Sequence, residues 1–114
     1  MGVRVKAGGE EFEASVADDV FSHFMGLRFQ DSGKMLFEFE SGSRGALDMA
    51  FVPRPLHLYF MDEDREVFEV GRAEPWTPDP RTWSFYRPER EFHYLLESFE
   101  KLDVEEGDRL EFEI

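Results

Sequence analysis

Cysteine is missing altogether from the 114 residues. That one absence removes disulfides, thiolate nucleophiles and thiolate metal sites together, and it leaves the redox compartment open. Lysine is scarce as well: three lysines and ten arginines face 26 acidic residues, for a net charge of −13. A phosphate-binding footprint needs clustered Lys and Arg, so no nucleic-acid partner is expected, and an anionic membrane surface is disfavoured for the same reason. Such a Lys-poor, acidic composition suits a high-salt cytosol, and it equally suits plain solubility. No window approaches the roughly 18 apolar residues of a spanning helix, and the opening MGVRVKAGGEEF lacks the apolar h-region of a secretory signal. The expectation is a soluble, cytoplasmic chain with no membrane partner.

Catalytic signatures are missing too. There is no Gly-x-Ser-x-Gly elbow and no Gly-rich phosphate loop. The three histidines, His23, His57 and His93, are not at metal-ligand spacing; His57 and His93 could meet only if separate strands brought them together. With 26 acids, chance carboxylate pairs are unavoidable and identify no general acid or base. No catalytic residue, metal or cofactor is assigned, and a binding role is favoured over an enzymatic one.

What is present is strand patterning. The stretch 47–70, LDMAFVPRPLHLYFMDEDREVFEV, kinks at Pro53 and Pro55 and then alternates. Leu56, Leu58 and Phe60 face one way, His57, Tyr59 and Met61 the other. Asp62-Glu63-Asp64-Arg65 is turn-compatible, and Phe68 and Val70 resume the alternation, so the stretch reads as a hairpin at the centre of a sheet.

Around it, residues 3–16 read as a hairpin closed by Gly8-Gly9. Asp18 can cap a short helix over residues 18–28, with Val20, Phe24 and Leu27 on one face. Met35, Phe37 and Phe39 alternate inward in another strand, and residues 41–45 read as a loop. Residues 73–90 hold four of the six prolines and both tryptophans, which forbids a helix or a central strand there. Phe92, Tyr94 and Leu96 alternate with His93, Leu95 and Glu97. Residues 98–106 form an acidic connection, and in residues 109–114 the even-numbered apolar residues face inward to the last. Length and patterning predict a single domain over residues 1–114, mainly β, with one short helix and a curled antiparallel or mixed sheet or partly open barrel. Phe37, Leu58, Phe60, Phe68, Tyr94, Leu96, Leu110 and Phe112 are expected in one core.

The order Gly26-Leu27, Met35-Leu36-Phe37-Glu38-Phe39, Met49, Pro55-Leu56, Phe60-Met61-Asp62, Tyr86-Arg87-Pro88, Tyr94-Leu95-Leu96-Glu97 and Gly107-Asp108 resembles the domain of unknown function 192 family, over residues 12 to 114. The resemblance implies a small, mainly antiparallel β domain, curled like a barrel, with a short helix, and it implies no activity. This chain departs from the family pattern in carrying Ala50-Phe51-Val52 where a Lys-Asn-Thr run is usual, and Pro55-Leu56-His57 where Pro-Leu-Asp is usual. It also lacks the cysteine often found in the Pro-rich loop.

The functional expectation centres on loop 73–90. Trp76, Trp83, Phe85 and Tyr86 concentrate aromatic area on a backbone stiffened by prolines, and Arg81 and Arg87 supply forked donors for a carboxylate or phosphate. The same aromatics could instead plug one end of the barrel while Arg87 pairs with an acid. The expected role is a ligand- or protein-binding module using this loop, with Arg87, Trp76, Trp83, Tyr86, His57 and Asp62 as candidate site residues. Its partner would be a small ligand or a protein, and the chain itself a monomer or weak homodimer. The alternative is a small hydrolase-type enzyme with a polar site near His57, Asp62 and Arg87, joined by Asp48 and His93.

Overall fold

The computed structural model describes residues 2–17 and 25–114. Within them six strands form one sheet: β1 (Gly2–Ala7), β2 (Glu10–Ala17), β3 (Lys34–Ser43), β4 (Leu56–Met61), β5 (Val67–Ala73) and β6 (Phe92–Ser98), in the order β1-β2-β3-β6-β4-β5. Every pair is antiparallel except β2 with β3, so the sheet is mixed. A parallel pair cannot be joined by a hairpin and needs a crossover of about a dozen residues. Residues 18–33 supply it. The short helix expected over residues 18–28 lies largely outside the described residues; at its described end Arg28 N–H bonds the Met25 carbonyl and Gln30 N–H that of Leu27, tight turns that lead into β3.

The Gly8-Gly9 hairpin and the β4–β5 hairpin form as the sequence predicts. β3 runs to Ser43 and so absorbs part of the expected 41–45 loop. The sheet is not a closed barrel, because its edge strands β1 and β5 do not pair with one another. The C-terminal chain reaches towards both edges by isolated bridges: Lys6 and Glu111 exchange two 2.9 Å bonds, and Leu110 N–H bonds the Arg65 carbonyl at 3.0 Å. Among the described residues no helix is long and apolar enough to cross a membrane.

The expected single core is two. Leu56, Leu58 and Phe60 of β4 pack with Phe37, Phe68, Phe92 and Leu95 on one face. Tyr59 and Met61 pack with Val5, Leu36, Leu96, Leu102, Leu110 and Phe112 on the other. Period-2 alternation says which side chains share a face, but not whether the opposite face is covered. Here the C-terminal chain and the β1–β2 hairpin cover it, so β4 is buried on both sides. A register shift between β3 and β6 adds a second departure: Phe92 joins the first core while Tyr94, two residues on, packs against the second. β3 advances five residues there, Glu38 to Ser43, against two of β6, and the simple alternation does not carry across such an irregularity. Ile114 is 44% exposed, so the inward pattern ends at Phe112.

Candidate functional site

Loop 73–90 is fixed by its own polar groups rather than by regular structure. The Trp76 indole N–H donates to the Ser84 carbonyl and that of Trp83 to the Thr77 carbonyl, both at 2.8 Å. Asp79 accepts from the Arg81 backbone N–H and caps a 3-10 turn, Pro80–Thr82. The Trp76 and Trp83 rings stack at 5.9 Å, and Phe85 meets Trp76 edge-on at 5.4 Å. Trp76 packs against the first core, yet Trp83 is 51% exposed.

Tyr86 closes the loop onto the sheet. Its backbone exchanges two hydrogen bonds with Leu47, its ring stacks on Phe60 at 5.6 Å, and its hydroxyl donates to Glu69 at 2.6 Å. Burial, reinforced by Glu69, pushes the phenol pKa up, so Tyr86 stays a neutral donor.

Facing this loop across a groove is a second aromatic pair absent from the sequence reading. Phe29 and Phe51 stack at 5.0 Å and are 71% and 69% exposed. Their backbones hold one another, Phe29 N–H bonding the Phe51 carbonyl at 2.8 Å. Both sit in left-handed backbone, at φ of 62° and 63°. That conformation costs a bulky L-residue on the order of 1–2 kcal/mol. Phe29, Phe51, Pro53, Trp76, Pro78 and Trp83 line one part of the groove, and Phe85 and Met25 extend it.

The groove's floor is charged. Arg28 donates to both Asp48 carboxylate oxygens, at 2.5 and 2.9 Å, and to the Ala50 carbonyl at 2.6 Å. The hydrogen-bonded guanidinium holds the Asp48 carboxyl below the usual carboxylate range. This fork ties the Phe29 turn to the Phe51 turn and sets the spacing of the two rings.

Of the residues expected from sequence, Trp76 and Trp83 line the groove and Tyr86 anchors its wall from beneath. The others lie apart. Arg87 is exposed and donates to the Arg44 carbonyl at 2.8 Å. The Asp62 carboxylate accepts the backbone N–H groups of Asp64 and Glu66 in the β4–β5 turn. His57 lies opposite Arg72 and Ser98, where burial lowers its pKa. His93 is at the other end of β6, near Glu91, so the register keeps the two histidines apart. His23 lies outside the described residues. The polar convergence a hydrolase would need at Asp48, His57, Asp62, Arg87 and His93 does not form.

Sequence reasoning missed Phe29, Phe51 and Arg28, and it named Asp48 only as a member of the hydrolase-type polar site. The available signal was Phe51 in a run where the resemblance implies polar residues.

Among proteins of known sequence, the chain is 27% identical over 107 residues to a UPF0127 protein of Thermococcus sibiricus, covering 87% of this chain and 65% of the relative. It therefore spans just under two thirds of that relative's length. Among solved structures, a protein of unknown function from Novosphingobium aromaticivorans superposes with a TM-score of 0.74 at 20% identity, covering 96% of this chain and 83% of its own. A candidate transcription regulator from Sinorhizobium meliloti gives 0.80 at 22% identity, covering 97% and 92%. At these identities the likeness concerns the fold alone. The model of the domain of unknown function 192, described as an uncharacterised ACR, matches residues 3–112, and the chain belongs to that family.

Proposed function

We propose that the chain is a binding module whose recognition surface is the aromatic groove between Phe29 and Phe51 on one side and Trp76, Trp83 and Phe85 on the other. The observation that carries this reading is the Phe29–Phe51 pair. Stability alone would bury two phenylalanines or relax their backbone, and here both are left strained and exposed. The occupant that fits is an apolar, aromatic-containing peptide segment of a protein partner. Rigid Trp and Phe faces offer large contact area at small entropy cost, with the loop's indole N–H groups already satisfied internally. The net charge of −13 favours a segment flanked by Arg or Lys.

Selection of a random twelve-residue peptide display library on the intact protein tests it. Enriched peptides should carry aromatic or aliphatic cores with basic flanks, and should lose binding to Phe51→Ser and Trp83→Ser variants. No enrichment, or peptides indifferent to both substitutions, would refute the reading.

A further inference from the structure

Below the groove, and sharing its Arg28–Asp48 floor, lies a cavity of about 270 Å³ between the Met25 turn, β3, the chain leading to Asp48, and β6. Its walls are apolar, with Phe37, Phe39, Phe92 and Leu95 among them. Its polar groups are matched with one exception. Arg28 and Asp48 satisfy each other, and the Ser43 hydroxyl accepts the Gly45 N–H at 3.1 Å. The exception is Glu97 on β6.

Glu97 is 7% exposed and lines the cavity; no side-chain hydrogen bond to its carboxylate forms among the described residues, and since no fully buried side-chain oxygen is left unbonded there, its oxygens reach the cavity space. Its immediate neighbour is a glycine: a Cβ on Gly26 would lie 3.6 Å from the Glu97 Oε1, so the chain leaves the carboxyl face open on that side. A largely buried carboxyl that makes no protein hydrogen bond and opens only onto a cavity is costly to charge, and such groups cluster where a ligand or a reaction uses them. Burial accordingly holds the Glu97 pKa up at about 7, so the group moves between neutral and charged near neutral pH.

We infer that this cavity binds a small organic ammonium ion, a primary or secondary amine on an apolar body, with Glu97 accepting its N–H bond. An anion is disfavoured because the nearby guanidinium is already committed to Asp48 and the Ala50 carbonyl. A purely apolar guest would leave the carboxyl unpaired. A hard divalent cation needs six or more oxygen ligands, and no metal-ligating group of three acids or histidines forms among the described residues. An ammonium satisfies the carboxylate, and the aromatic lining that includes Phe39 and Phe92 suits a cation better than an anion. By volume the body is limited to on the order of ten non-hydrogen atoms, since a cavity of about 150 Å³ accepts benzene. The inference does not depend on the groove, whose aromatic residues it leaves unused.

The test is a thermal-shift and calorimetric titration of the intact protein at pH 8 with phenethylamine, against 2-phenylethanol and 3-phenylpropionate. The amine should raise the melting temperature, the alcohol far less, and the carboxylate not at all. Amine affinity should fall about tenfold per pH unit below the Glu97 pKa, as the carboxyl takes up its proton. Glu97→Gln, which keeps the shape, should weaken the amine at least about tenfold, whereas the groove variant Phe51→Ser should not change it. N-acetyl-lysine methylamide in the same titration separates the sources: binding tighter than butylamine assigns the site to a partner's lysine side chain, weaker binding to a free amine. No amine response up to about 10 mM, or equal affinity in Glu97→Gln, would overturn the inference. Should that variant fail to fold, a flat pH profile in the natural protein overturns it instead.

Discussion

Tyr86 occupies the space that a side chain at position 71 would need: a Cβ built on Gly71 would fall 2.2 Å from the Tyr86 hydroxyl oxygen and 2.4 Å from its Cζ. The ring cannot swing away cheaply, because it stacks on Phe60 and its hydroxyl is held by Glu69. In an ordinary strand Gly→Ala stabilises by about 0.5–1 kcal/mol. Gly71→Ala should instead destabilise by about 1–3 kcal/mol, the cost of overpacking. Urea denaturation reads the sign directly. Combining it with Tyr86→Ala should recover about 1 kcal/mol or more of coupling, and strict additivity would show that the two residues do not compete for the same space.

Two cores on opposite faces of β4 make a second prediction. Phe60 is fully buried in the first and Leu110 is 1% exposed in the second. Phe60→Ala should cost about 3–5 kcal/mol and Leu110→Ala about 2–5. Since they share no cluster, the double variant should be additive within about 0.5 kcal/mol. A large coupling would mean that the faces behave as one core.

Alternation, turn residues and the proline-rich loop were enough to read the hairpins and the mainly β architecture from sequence. They could not show that a strand such as β4 is covered on both faces, because Tyr59 and Met61 would alternate identically on a half-exposed sheet. Trp76 and Trp83 stood out in the sequence because the proline-rich loop concentrates their aromatic area, a pattern that a recognition surface and a plug at one end of the sheet share. Phe29 and Phe51 did not, since a left-handed φ in a bulky residue leaves no trace in composition. The run Ala50-Phe51-Val52 was the nearest clue: the resemblance implies Lys-Asn-Thr there, and Asn tolerates left-handed backbone far better than Phe. Glu97 was visible as a member of an alternating strand and of the Tyr94-Leu95-Leu96-Glu97 run, and what isolates it is the cavity, a property of packing.

Two arginines separate a structural fork from a surface contact. Arg28 is partly buried, and among the described residues its guanidinium makes three bonds, two to Asp48 and one to the Ala50 carbonyl. Arg28→Lys cannot reproduce that fork and should cost about 2 kcal/mol. Arg87 is exposed and makes one bond to the Arg44 carbonyl. Arg87→Lys should change stability by less than about 1 kcal/mol. Equal effects of the two substitutions would contradict the fork's role in setting the groove.

The strain at Phe51 has its own signature. Replacing Phe51 by Gly deletes a whole ring and its stacking on Phe29, yet relieves a left-handed backbone worth about 1–2 kcal/mol. Phe51→Gly should therefore leave the melting free energy within about 0.5 kcal/mol of the natural protein, as expected of a surface change, while abolishing peptide binding. A loss approaching that of Phe60→Ala would show that Phe51 serves packing rather than recognition.

Glu97 predicts a pH dependence with a definite sign. Burial raises its folded pKa from an ordinary 4.5 to about 7. A raised carboxyl pKa means that the folded state holds its proton more tightly than the unfolded chain, so this stabilisation is complete below about pH 4.5 and is lost as pH rises through 7. The shift corresponds to roughly 3 kcal/mol. Asp48, with its pKa lowered by Arg28, acts in the opposite sense, its contribution being lost only as pH falls below the ordinary carboxylate range. It therefore stays nearly constant between pH 5 and 8. Glu97→Gln cannot titrate, so the stability difference between variant and natural protein isolates Glu97. Chemical denaturation should show the variant gaining roughly 2–3 kcal/mol on the natural protein between pH 5 and pH 8. A difference independent of pH would mean that Glu97 titrates as an ordinary surface carboxylate.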